Sequence, residues 1–122
     1  WVIGLTRSLR TQPQICLVNA DEPLSNSVAI RIGPAESARY HKENAESALT
    51  KGRAQLKRAG LKWTEETRLG HPAKVVLDVA ERFKADMIVM GSHGRTPLKS
   101  LVLGSVTSKV IAGTSTPIAV VR

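Results

Sequence analysis

Aromatic side chains are scarce, making up 3% of the 122 residues. Stacking platforms for single-stranded nucleic acid are therefore few, and no zinc-finger or RNP-type pattern occurs, so generic nucleic-acid binding is set aside. Cysteine is scarcer still. Cys16 stands alone, which excludes an intrachain disulfide and any cysteine-based metal cluster; within the apolar run "ICLV" it reads as a buried, inert thiol. No apolar run approaches the roughly 18 to 20 residues that a membrane-crossing helix needs, and no charged region followed by a signal-type apolar segment opens the chain. A soluble, cytoplasmic protein is expected. Catalytic signatures are missing too: there is no G-x-x-x-x-G-K-[ST], no G-x-G-x-x-G after a strand and no G-x-S-x-G. His41, on a charged helix, and His71, in a loop, lack partners at metal-ligand spacing and read as solvated surface.

What is present begins with hydrophobic content of 42% and a formal net charge of +8. The first suffices for one core, and the second favours anionic partners without choosing among them. Three short apolar runs, "QICLVNA" (14–20), "ADMIVM" (85–90) and "PIAVVR" (117–122), fit strands buried on both faces as in a parallel sheet. "LKWTEETR" (61–68) alternates apolar with polar residues and fits a strand nearer a sheet edge. From Pro34 to Gly60 the apolar period is helical, with Ala38, Ala45, Leu49, Leu56 and Ala59 on one stripe, Pro34 in the first turn and Gly60 as the cap. Pro72 opens a second helix with Val75, Val76, Val79, Ala80 and Phe83 on one face, and a short helix from Ser105 to Ala112 is closed by Gly113. "DEPLSNSVAIRIGP" (21–34), with its prolines and turn formers, reads as a loop over a site. Trp1 and Trp63 read as packing residues. This alternation predicts βαβ crossovers: an α/β three-layer sandwich with a parallel sheet.

In "MIVMGSHGRTPLKSLVLGSV" (87–106) a buried strand breaks into a loop with glycines at 91, 94 and 104. Ligands of open parallel sheets sit beyond the carboxyl ends of the strands. Glycines there let backbone N–H groups converge on one anion, and Gly104–Ser105 leads into a helix start that favours negative charge. Ser105 and Thr107 add hydroxyls. From the residues alone a plainer reading stays open, in which Gly91 is a turn, Gly104 a helix entry and Ser105 an N-cap.

"ADMIVMGSHGRTPLKSLVLGSVTSKVIAGTSTPIAVVR" resembles the C-terminal third of the universal stress protein family, whose nucleotide-binding branch carries G-x2-G-x9-G-[S/T]. Gly91, Gly94, Gly104 and Ser105 match that spacing. "GHPAKVVLDVAERFKADMIVMG" also resembles the family's run of glycine, proline, amphipathic helix and strand, so the likeness covers most of residues 14–122. It implies an adenine nucleotide alpha hydrolase-like fold. Around the phosphates and ribose of ATP or AMP it would place Gly91, His93, Gly94, Gly104, Ser105, Val106 and Thr107, with Met90 near the ribose or base. The strand ending at Val18 and Asn19 would supply part of the adenine pocket, and Mg²⁺ would arrive on the phosphates. Arg95, Lys99 and Lys109 are candidates for added positive field, or are ordinary surface charges.

The same likeness implies homodimers through residues 117–121 and a stress-response sensor or regulator. No catalytic residue can be named, so enzymatic activity is limited to slow ATP hydrolysis or phosphorylation of a loop hydroxyl, as relatives suggest. A competing expectation is a non-nucleotide interaction module that dimerises through its C-terminal strand. The chain departs from the family at its start, where "WVIGLTRSLRTQ" takes the place of the first helix and no counterpart of the first strand, with its aspartate, precedes it. The expectation is a single domain over 1–122 that is N-terminally incomplete: either further residues precede the given ones, or another segment or chain fills the gap. Pro97, where relatives often carry glycine, reads as a tolerated loop variant.

Overall fold

The computed structural model of the protein describes residues 1–92 and 103–121. Helix α1 (Val2–Ser8) leads into β1 (Ile15–Asp21), followed by α2 (Asn26–Ile32), α3 (Pro34–Arg58) and β2 (Trp63–Leu69). Helix α4 (Pro72–Phe83) then leads to β3 (Ile88–Gly91), α5 (Ser105–Gly113) and β4 (Ile118–Val121). This is an α/β fold with parallel strands. β1 pairs with β2 from Ile15↔Trp63 to Asp21↔Leu69, and β3 with β4 from Ile88↔Ile118 to Gly91↔Val121.

Among the described residues the strands form two separate pairs rather than one sheet. The consequence is visible in burial. The apolar runs are not covered on both faces: most of β1 is only half-buried, and Val89 and Val120 are exposed. A strand with one neighbour and one open edge cannot bury what a central strand buries.

α3 and α4 flank the first pair, each packing on β1. Leu17 points at α3, where a Cβ on Gly52 would meet Leu17 Cδ1 at 3.4 Å. Asp21, on the same strand face by alternation, also reaches α3. α4 continues to the second pair, where Ala73, Ile88 and Val110 form a buried cluster joined by Val76, Leu77, Ala80, Met90, Val106 and Ile118.

The helices that periodicity predicts are present. The 25 residues of α3 bury Ala45, Leu49 and Leu56, and Gly60 at φ 68 lets the Gly60 and Leu61 amides turn back to Lys57 and Leu56 carbonyls. Ala38 is exposed instead, being in the first turns beyond the reach of β1. Phe83 ends α4 36% exposed, and Trp1 is 62% exposed, so neither is a core residue. Residues 26–32 are helical rather than loop, because both prolines flank that segment and neither lies inside it. Gly113 belongs to α5 and is needed for contact more than for capping: a Cβ there would stand 2.6 Å from Leu77 Cδ1 on α4.

Candidate functional site

The carboxyl end of β3 and the amino end of α5 are tied together by backbone bonds. Ser92 N–H extends the ladder to the Val121 carbonyl at 2.8 Å, and Gly104 N–H donates to the Ser92 carbonyl at 2.9 Å. Thr107, 3% exposed, donates its hydroxyl to the Gly91 carbonyl at 3.0 Å. Gly91 is thus the last residue of β3 rather than the first of a loop. Thr107 spends its only proton holding that end, which leaves its oxygen an acceptor.

What α5 presents is set by its entry. Gly104 is the N-cap in an extended conformation, with no side-chain cap and no acidic residue in the first turn. The first closing bond runs from Ser108 N–H to the Gly104 carbonyl at 3.0 Å. The amides of Ser105, Val106 and Thr107 consequently have no acceptor within the helix. Ser105 is exposed and Val106 half-buried, so the turn is wet on one side and anchored by the core on the other. Donors without an acceptor among the described residues, the positive end of the helix dipole and a first turn free of carboxylates suit an anion such as phosphate.

Met90, Gly91, Gly104, Ser105, Val106 and Thr107 are therefore brought together. Val18 is not in this unit; it lies half-buried on β1, in the other strand pair. His93 and Gly94, together with Arg95, Pro97 and Lys99, lie outside the described residues. Lys109 is exposed, with Nζ 3.1 Å from His71 Nε2.

Two features of β1 carry more than its apolar pattern signals. Asn19 is 9% exposed, and its Nδ2 has no hydrogen-bond partner among the described residues. Asp21 accepts from His41 Nδ1 at 2.7 Å and Asn44 Nδ2 at 3.0 Å. The side chains of His41 and Asp21 are 12% and 14% exposed, so His41 is a tie between α3 and β1 and not solvated surface. The helical period places His41, Asn44 and Ala45 on one side of α3, which is the signal the residues offer; the partner on β1 is set by the crossover.

A cleft of about 270 Å³ opens beside this tie, lined in part by His41, Lys42, Thr67 and Arg68. None of the residues expected to bind a ligand lines it. Several of the charges at and near it are held by protein partners: Asp21 as above, Arg68 by Glu66, and Glu46 by Arg53, which also reaches Glu65. The Arg53 guanidinium, then the Trp63 indole N–H, hold the Glu65 carboxyl down at about 2. The α5 entry is the better candidate because, among the described residues, its first-turn amides have no acceptor.

The family model for the universal stress protein family matches residues 1–122. The chain belongs to the universal stress protein family. Universal stress protein MJ0531 of Methanocaldococcus jannaschii is 40% identical over 81 residues, 66% of this chain and 48% of the relative. MJ0577 of the same organism is 36% identical over 80 residues, 66% of this chain and 49% of the relative. These matches span about half the length of the curated relatives. Among solved structures, that of MJ0577, from a structure-based assignment of biochemical function, superposes with TM-score 0.80 at 27% identity, covering 98% of this chain and 81% of that one. PH0823 superposes with TM-score 0.68 at 21% identity over 94% of this chain and 79% of its own. The universal stress protein fold is thus shared along nearly the whole chain. Among the described residues, no helix is long and apolar enough to cross a membrane, and no group of three or more His, Cys, Asp or Glu could hold a metal ion.

Proposed function

We propose that this universal stress protein binds ATP or a related adenine nucleotide and acts as a stress-response sensor or regulator. The observation that carries the reading is the uncapped first turn of α5, fastened to the end of β3 by Gly104, Ser92 and Thr107. Gly91, Gly104 and Ser105 stand there in the spacing of the family's nucleotide-binding branch, with His93 and Gly94 completing the motif in sequence.

In this reading the amides of Ser105, Val106 and Thr107 hold phosphate oxygens, Met90 packs beside the ribose, and Val18 on β1 borders the base. Mg²⁺ comes with the phosphates. The bound nucleotide supplies charge and shape, while the protein's own residues bind and orient it. Gly91 pairs with Val121, so a change at the phosphate end reaches β4, whose open edge, with Val120 exposed, pairs with a second copy. Residues 1–122 belong to a single, N-terminally incomplete domain, and the protein works in the cytoplasm.

The test is calorimetric titration with ATP·Mg²⁺, comparing the unaltered chain with Gly104→Asp. Asp is a better N-cap than Gly by a few tenths of a kcal/mol, so the fold is kept, yet its carboxylate occupies and repels the phosphate position. A micromolar Kd, about −8 kcal/mol, that is lost in Gly104→Asp supports the reading. Equal titration curves for the two proteins overturn it.

The open edge of β4 also favours the second reading, a non-nucleotide module that dimerises through residues 118–121. Dimers that dissociate in Val120→Lys, from a folded chain that never takes up ATP, would select it.

A further inference from the structure

We propose that the outer edge of β2 is a docking site for an extended, acidic peptide segment of another protein, which adds a strand beside β2 and sets an apolar side chain into the cleft between β2 and α3. The site is separate from the α5 entry and does not rest on the nucleotide reading. Among the described residues β2 pairs with β1 alone, in continuous register over all seven residues and without proline or bulge. Its other edge therefore offers a row of N–H and C=O groups, the template on which strands add. Edges are commonly guarded by free charge, but the charged side chains of β2 are already engaged: Arg53 holds Glu65, and Arg68 and Arg82 share Glu66. By alternation Trp63, Glu65, Thr67 and Leu69 share the face that meets α3, since Glu65 reaches Arg53 there. α3 lies over β1, so this face of β2 projects past it: Thr67 is exposed, and Leu69 is 53% exposed.

The cleft of about 270 Å³ lies in this step, with Thr67 and Leu69 on one side and Lys42, Ala45 and Glu46 of α3 on the other. It is smaller than the roughly 300–1,000 Å³ of sites that enclose a small molecule. A strand added about 4.8 Å beyond β2 points every second side chain to the α3 face, beside Thr67 and Leu69, and one of these fills the cleft. Strand addition works in this way: main-chain bonds give affinity, and pockets for alternate side chains give specificity. Charge chooses the peptide. Glu46, Glu65 and Glu66 have cationic partners, whereas Lys42 beside the cleft and Lys62 just before β2 have no hydrogen bond or ion pair among the described residues. Cations thus stand unmatched near both ends of the edge, on a chain with formal net charge +8, and acidic side chains complement them.

The test is titration of the full ¹⁵N-labelled chain with a capped peptide of alternating valine and glutamate, seven residues long like β2, and with its valine–lysine counterpart. The expected result is that the glutamate peptide binds, that the lysine peptide binds at least about tenfold more weakly, and that alternate β2 amides, those not bonded to β1, gain protection from exchange. Leu69→Glu, at an exposed position, weakens binding of the glutamate peptide about tenfold, and Lys42→Gln weakens it about threefold with a shallower salt dependence. Should Leu69→Glu not fold, Leu69→Ser takes its place with the same direction of change. Equal affinity for the two peptides, or shifts scattered over the basic surface with no protection in β2, overturns the proposal. So does self-association of the peptide-free chain that Leu69→Glu abolishes, which gives the edge to a second copy instead. None of these outcomes bears on the nucleotide reading.

Discussion

Both strand pairs rest on buried apolar side chains, with Ala45, Leu49 and Leu56 of α3 beside the first and Ala73, Ile88 and Val110 at the second, but they differ in what is added. The first pair and α3 are joined in addition by charge and hydrogen bonds: His41 and Asn44 on Asp21, Arg53 between Glu46 and Glu65, and Arg82 reaching Glu66 from α4. The second pair is held by apolar packing under α4 and α5, with Val110 at 0% exposure, and by backbone bonds that need no side-chain charge. The difference teaches where a ligand for an anion site can be accommodated. Donors already paired, as those of His41, Asn44 and Arg53 are, have less to offer a ligand, whereas a helix end beside a packed cluster can go without a side-chain cap and keep its core.

The comparison breaks most visibly at Val110. Val110→Ala removes two buried carbons from the cluster with Ala73 and Ile88 and should cost about 2 kcal/mol, alike at low and high salt. Urea unfolding at two ionic strengths checks it; a cost that shrinks in salt would contradict packing as the cause. Asp21→Ala comes next, because it leaves His41 and Asn44 donors without their acceptor under α3. A loss of about 1–2 kcal/mol is expected, with amide exchange quickening in β1 and α3 ahead of β3 and β4. Uniform quickening across all four strands would mean that the two regions unfold as one.

The smallest effect sharpens the contrast through pH. Glu65 titrates at about 2 in the folded chain, below the ordinary 4.5, chiefly through its bond from Arg53 and secondarily from Trp63. Glu46 is lowered by Arg53 and Glu66 by Arg82. For carboxylates lowered by folding, the stabilisation is complete above the unfolded value and is lost as pH falls toward the folded one. Stability should therefore decline from about pH 4.5 toward 2, and Arg53→Gln should flatten that decline. Parallel acid curves for the two proteins would remove the Arg53 network from the account.

Several of these features are legible in the residues alone. The helical period of Ala45, Leu49 and Leu56 marks α3 and its buried side, and Pro72 marks the start of α4. The spacing of Gly91, Gly104 and Ser105 points to the joint between β3 and α5, since glycine and a helix start are local signals. Asp21–His41 is not legible, because the two residues lie 20 positions apart and meet only when the crossover lays α3 along β1. Nor is the engagement of Thr107 with Gly91, which makes a hydroxyl that reads as a ligand donor into a structural tie. The short helix at 26–32 is hidden by its flanking prolines.

The sequence by itself determined the element types, the parallel α/β class and the motif at the end of β3, because periodicity, capping and glycine spacing act over a few residues. Tertiary structure alone decided that, among the described residues, the strands stand as two pairs and Asn19 is buried with its amide donor unmatched, and that Thr107 is spent on Gly91. Burial and partnership are properties of what another part of the chain brings alongside, and no local pattern encodes them.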